Sequence, residues 1–227
     1  MKPLKAPRLF VSAFLLFILQ FHQVQAQQLE SRADSLSAPP VAVPADSLAQ
    51  RPHPRLLPEN ISITERALWG EAGLMRSLSI VPPLTAEERR NELSMRRTML
   101  TAHQVGGFVT LGLMATTVYY GQRVIDGRYD LRRTHFGFVD ATIISYSATA
   151  LLALLSPPPM IRRDELSTTS IHKTLAWIHV AGMIATPIIG SLIRSRQGYD
   201  LRTERLHQIS GYITTATFAA SLLVITF

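Results

Sequence analysis

The chain has 227 residues, a formal charge of +7 and no cysteine. The lack of cysteine excludes internal disulfides, thiolate metal sites, iron–sulfur clusters and covalent c-type haem attachment. The positive charge does not form one basic patch, as a nucleic-acid site would, because many of the basic residues flank long apolar runs. Only 17% of the residues are charged. The composition therefore favours an integral membrane protein with lipid, and no nucleic acid, as its surroundings.

The N-terminus predicts a secretory signal peptide over residues 1–26. Three basic residues precede an apolar core at 9–21, and Ala26 is a small residue at the expected cleavage point. An uncleaved anchor is the alternative. In both cases residue 27 lies outside the cytoplasm.

The region between the signal peptide and the first apolar run has two parts. Residues 27–58 are rich in Pro, Ser, Ala and Gln, and they predict a disordered linker. Residues 59–97 predict interfacial or amphipathic helices. A helix over 62–79 would begin with the capping-box residue Ser62, and Trp69 would suit the membrane interface. A helix packed against the membrane domain is an equal alternative.

A second helix is predicted to begin at Thr85 and to run straight into the first span. Thr85 and Glu88 have capping-box spacing. The run from Glu87 to Arg90 is interpreted as a solvated helix surface.

The rest of the chain predicts a four-helix transmembrane domain over residues 98–227. Its segments with almost no charge can each cross about 30 Å of hydrocarbon as a helix, and they are 98–122, 136–161, 174–193 and 206–227. Arginine-rich turns follow the first and third segments, which puts those turns in the cytoplasm. We therefore expect a protein of the bacterial inner membrane with its N-terminal segment extracytoplasmic.

The transmembrane part contains an internal repeat. YDLRRTH at 129–135 is followed seventy positions later by YDLRTERLH at 199–207. Aligning His103 with His172 and His135 with His207 pairs further identical residues, namely Met114 with Met183, Thr117 with Thr186, Gly121 with Gly190, and Thr142 with Thr214. The fold class is therefore predicted as an all-α membrane four-helix bundle built from two repeated helical hairpins.

The four repeat-related histidines divide into two pairs by their predicted depth. His103 and His172 fall near the outer face, and His135 and His207 near the inner face. Two imidazoles facing each other across a bundle can bind one haem iron from both sides. Small residues four positions after a histidine would leave room for a porphyrin, and basic residues nearby could pair with its propionates. The small residues are Gly107, Ala176 and Gly211, and the basic ones are Arg97, Lys173, Arg133 and Arg205.

Other interpretations remain open. Histidines at helix ends are often hydrated and unliganded, which favours a non-catalytic membrane scaffold or subunit. His179 lies one heptad after His172 and could be the ligand in its place, although the repeat aligns it with Thr110. A metal-ion transporter would need carboxylates within the spans, where only Asp140 is available.

Residues 171–212, IHKTLAWIHVAGMIATPIIGSLIRSRQGYDLRTERLHQISGY, resemble the cytochrome b561 family, and residues 99–156 resemble it more weakly. That family has a similar order of a Leu-His pair, a glycine-ended span, a G-Y-x-D-L turn, and a histidine with Gly four residues later. The resemblance implies two b-type haems, one held by His103 with His172 and the other by His135 with His207. It also implies transmembrane electron transfer, with a quinol, a soluble reductant or a periplasmic protein as donor or acceptor.

Overall fold

The computed structural model describes residues 55–161, 167–195 and 201–226. Within these ranges every regular element is helical and no strand occurs. The predicted signal peptide and linker residues 27–54 lie outside the described residues, as do Tyr199 and Asp200 of the second repeat phrase.

The helices follow one another along the chain. They are α1 (Ile63–Trp69), α2 (Leu74–Ser77), α3 (Ala86–Ile125), α4 (Arg132–Leu154), α5 (Thr168–Ser195) and α6 (Leu201–Thr226), with a 3₁₀ turn at Tyr129–Leu131 between α3 and α4. Gly127, with a φ of 91°, ends the α3 chain direction in a left-handed conformation that favours glycine.

The start of α1 confirms one predicted capping box. The Ser62 hydroxyl accepts the Glu65 amide, and the Glu65 carboxylate accepts the Ser62 amide. The prediction of one helix over 62–79 was wrong, because the chain turns between Gly70 and Gly73. A Cβ on Gly70 would lie 2.5 Å from the Arg66 carbonyl oxygen, so the turn needs glycine there.

Helix α3 confirms that the second predicted helix continues into the first apolar segment. Its 40 residues correspond to about 60 Å of continuous helix. The Thr85 hydroxyl caps it by accepting the Glu88 amide at 3.2 Å.

Three helices are long and apolar enough to cross a membrane, over Tyr129–Leu154, Thr168–Ile193 and Leu201–Thr226. The predicted first span, 98–122 within α3, is not among them. His103, Gln104 and the adjacent Gly106 and Gly107 dilute its apolar stretch. The predicted second span ended at 161, whereas α4 ends at Leu154, ahead of a proline run that cannot continue a helix.

The four long helices pack as two antiparallel hairpins, α3 with α4 and α5 with α6, and α3 also packs against α6. Their inward-facing residues are unusually polar, and Thr110, Thr142, Thr149, Thr214 and Ser221 are all buried. Many Ile and Leu side chains are exposed instead. Small polar residues inside and large apolar residues outside are typical of helices that pack within lipid.

The segment before α3 is attached to the end of α4 by Arg89. This side chain is only 1% exposed. It donates to the Leu56 carbonyl at 2.8 Å, to the Pro158 carbonyl at 2.7 Å and to the Glu92 carboxylate at 2.8 Å. Arg76 donates to the same carboxylate. The interpretation of the Glu87–Arg90 run as a solvated surface was therefore wrong for Arg89.

Trp69 is also buried, and its indole N–H donates to the Leu155 carbonyl at 3.1 Å. This contact places α1 against the end of α4. The structure therefore favours the packed alternative for this helix over one that holds Trp69 at the lipid surface.

We predict that Arg89→Ala loosens the segment before α3. Removing one partner from a buried ion pair leaves Glu92 without part of its compensation and costs about 3 kcal/mol. Hydrogen exchange of the amides between residues 63 and 97 should become faster by the corresponding factor. The exposed neighbour provides the control, since Arg90→Ala should leave exchange unchanged. Equal exchange in the two variants would contradict the role assigned to Arg89.

Candidate functional site

The two predicted histidine pairs are close together in the structure. The ring centroids of His103 on α3 and His172 on α5 are 6.1 Å apart, with an angle of 90° between the ring planes. Those of His135 on α4 and His207 on α6 are 6.4 Å apart, at 87°. Each pair joins one helix from each hairpin, so both pairs lie between the hairpins.

Every one of these imidazoles is held by a main-chain carbonyl of the partner helix in its own hairpin. His103 Nδ1 lies 2.8 Å from the Thr149 oxygen, and His172 Nδ1 lies 2.9 Å from the Ser221 oxygen. At the other end, the Thr117 oxygen is 3.0 Å from His135 Nδ1, and the Thr186 oxygen is 2.9 Å from His207 Nδ1.

These contacts fix the tautomer of all four side chains. A carbonyl oxygen only accepts hydrogen bonds, so each Nδ1 must carry the hydrogen and donate it. The neutral ring then has its lone pair on Nε2. A histidine bound through Nδ1–H to a carbonyl, with Nε2 available, is the arrangement commonly found for metal-ligating histidines.

The hydrogen bonds follow the internal repeat. The acceptors Thr149 and Ser221 occupy equivalent positions in the two hairpins, as do Thr117 and Thr186. The 14 residues from His103 to Thr117 correspond to about 20 Å of helix, which sets the separation of the two pairs along the long axis. The site is therefore double, with one pair near each end of the long helices.

Gly121 and Gly190, which the repeat aligns, leave the space that the inner pair occupies. A Cβ on Gly121 would lie 3.0 Å from His135 Cε1, and one on Gly190 would lie 2.8 Å from His207 Cε1. Sequence reasoning aligned these glycines without assigning them a role. Their shared position relative to the following histidine was the signal that could have found them.

A cavity of about 600 Å³ opens beside His135 and His207. Its walls come from α3, α4, α5 and α6, and they include Met114, Met183, Pro187, Gly190 and Gly211. This volume lies within the 300–1,000 Å³ typical of cofactor sites.

The small residues predicted to make room for a porphyrin differ in their surroundings. Gly211 lines the cavity beside the inner pair. Gly107 is buried against α6, where an added Cβ would lie 3.2 Å from Leu222 Cδ1, so it permits close helix packing. The predicted basic residues are exposed near the helix ends, namely Arg97, Lys173, Arg133 and Arg205. Asp140 is exposed and also lines the cavity.

His179 has a different environment from the four paired histidines. Its Nδ1 is 2.9 Å from the Tyr146 hydroxyl, and its ring packs 5.0 Å from that of Phe218. The repeat-equivalent Thr110 hydrogen-bonds to Ser145 at 2.8 Å. The structure thus places His172, and not His179, opposite His103.

Comparisons of the chain with protein-family models, with curated proteins and with solved structures gave no significant match.

We predict that Gly190→Ala lowers the thermal stability of the detergent-solubilised protein. The new methyl group would overlap the His207 ring, and overpacking of this kind costs about 1–3 kcal/mol. Gly112→Ala is the matched control, because nothing lies within 4 Å of its added Cβ and alanine favours the helix. An unchanged melting temperature for Gly190→Ala would contradict the tight fit at His207.

Proposed function

We propose that this protein is a four-helix transmembrane electron carrier that holds two non-covalent b-type haems. The observation that carries the proposal is the arrangement of four histidines in two facing pairs, each with Nδ1 donating to a carbonyl and Nε2 available. The resemblance of residues 171–212 to the cytochrome b561 family agrees with it.

The spacing of the rings fits bis-histidine ligation. Two metal–nitrogen bonds of about 2.0 Å, with roughly 1.1 Å from each Nε2 to its ring centre, place the two centroids about 6 Å apart. The measured distances are 6.1 and 6.4 Å. Hydrated histidines without a common ligand have no reason to adopt this separation at both ends of the molecule.

The chemistry of the donor set also fits haem better than a bare metal ion. Among the described residues, no group of three or more His, Asp and Glu side chains could hold a metal ion. Two axial nitrogens are sufficient for haem, because the porphyrin supplies the other four ligands. The cavity beside His135 and His207 provides an apolar space at one of the two pairs.

The proposed topology has α3 as the fourth span, beside the three helices that meet the length and hydropathy of a span. With residue 27 outside a bacterial inner membrane, His103 and His172 would lie toward the outer face. His135 and His207 would lie toward the cytoplasm.

The residues of the chain would share the work as follows. Haem, when bound, supplies the one-electron ferric–ferrous couple. His103 with His172 and His135 with His207 would bind the iron, and the four carbonyls would keep their rings oriented. Arg97 and Lys173 at one end, and Arg133 and Arg205 at the other, would pair with propionates. The apolar surroundings would exclude water and tune the potential.

We predict two haems per chain in a reduced-minus-oxidised visible spectrum of protein from haem-replete cells. His103→Ala and His207→Ala should each lose half of the haem, because the pairs are independent. His179→Ala tests the alternative ligand and should keep both haems, since His179 does not face His103. A spectrum without haem bands, from a protein that remains folded, would overturn the proposal.

A second prediction concerns the angle between the ligand planes. Rings at 90° and 87° leave the two iron orbitals that interact with them nearly equal in energy. The oxidised protein should therefore give strongly anisotropic low-spin ferric signals in low-temperature electron paramagnetic resonance. Two ordinary rhombic signals, as parallel rings produce, would contradict the ring orientations.

A further inference from the structure

A polar cluster lies beside the inner histidine pair, where α3 packs against α6. The Gln122 side-chain oxygen accepts two hydrogen bonds, one from Gln208 Nε2 and one from the Tyr212 hydroxyl, both at 2.7 Å. The Gln122 amide donates in turn to Asp126 at 2.9 Å. We call Gln122, Gln208 and Tyr212 the glutamine–tyrosine triad.

The triad connects the cavity with the outside of the helices. All three side chains line the cavity that also contains His135 and His207. Tyr212 is 44% exposed, and the nearby Ile209 and Ile213 on α6 are exposed as well. A lipid-soluble molecule could therefore reach the triad from the bilayer and touch the inner pair from the same position.

The repeat does not explain the triad. The equivalent positions in the other half are Ser191, Phe136 and Asp140. These residues cannot form the same hydrogen-bonded group, so the triad is not required by the hairpin architecture. It distinguishes one seam between the hairpins from the other.

We infer that the triad binds the headgroup of a membrane quinol, which makes the quinone pool the redox partner. This inference deepens the proposed function and depends on haem at the inner pair for its redox step. The hydrogen-bonding chemistry is complementary. A quinol hydroxyl is a donor, and in the described residues the Gln208 carbonyl oxygen and a lone pair of the Tyr212 oxygen are still available as acceptors.

The same groups suit the oxidised product. The second N–H of Gln208 can donate to a quinone carbonyl, while the isoprenoid tail remains in lipid beside the exposed apolar residues of α6. Oxidation of the quinol releases two electrons and two protons. The electrons reduce two ferric haems to ferrous haems, one electron each, and the protons leave by way of Asp140 and Glu204, which also line the cavity.

The first experiment measures binding without any redox step. The whole protein in nanodiscs is irradiated with an azido-ubiquinone, and the labelled peptides are mapped. Labelling should concentrate on residues 118–129 and 204–216, and an excess of decylubiquinone should prevent it. Gln208→Leu combined with Tyr212→Phe should reduce the labelling roughly tenfold, which corresponds to the loss of one or two hydrogen bonds.

The second experiment measures haem reduction by decylubiquinol in stopped flow, with dithionite as a reductant that needs no binding site. The double variant should slow reduction by quinol about tenfold and leave reduction by dithionite unchanged. Gln104→Leu on the same helix and Tyr119→Phe, an exposed tyrosine that does not line the cavity, are matched controls and should behave like the wild-type protein.

The outcomes separate the two proposals. Normal haem spectra with unchanged labelling and unchanged quinol kinetics in the double variant would overturn the quinol site alone, and leave the triad as a helix-packing contact. Saturable labelling at the triad in a protein without haem bands would support the site and overturn the proposed electron carrier.

Discussion

The hydrogen bond from an imidazole Nδ1–H to a helix carbonyl determines the candidate site, and the rest of the architecture supports it. Each carbonyl has a second lone pair beyond the one used within its helix, so the bond does not disrupt the helix. It joins the two helices of a hairpin and fixes the direction of the ring at the same time. Since the rings lie in an apolar surrounding, an imidazole N–H without this acceptor would be costly. Hairpin packing and ring orientation therefore depend on each other.

The two hairpins share this device but differ in the layer between the histidine pairs. In the first hairpin the small residues Thr110, Ser145 and Thr149 fill that layer through hydroxyl hydrogen bonds. The second hairpin presents His179 instead, which takes Tyr146 as its partner and packs against Phe218. Duplication thus accounts for the ends of the molecule, whereas its middle and the seam at Gln122 have diverged. Residues that escape the repeat are the ones where specific chemistry is to be expected.

The sequence was a good guide to what repeats and a poor guide to what depends on tertiary contacts. The positions of the four histidines in two pairs followed from the repeat and from alternating helix direction. The acceptors did not, because main-chain carbonyls carry no residue signature. Arg89 looked solvated because its neighbours are charged, and its burial depends on the Pro158 carbonyl 69 residues away. The break between α1 and α2 was signalled by Gly70 and Gly73, but the apolar periodicity concealed it.

The pairing of helices across the hairpins has a consequence for assembly. His103 is synthesised early in the chain, yet the histidine opposite it is 69 residues later, and His207 lies only 20 residues from the C-terminus. The first hairpin alone can orient His103 and His135 through Thr149 and Thr117, but it contains no complete pair. A ribosome must therefore finish nearly the whole chain before either site can close around a ligand. Maturation of such a protein would begin with an open, half-liganded hairpin that the second hairpin completes from the side.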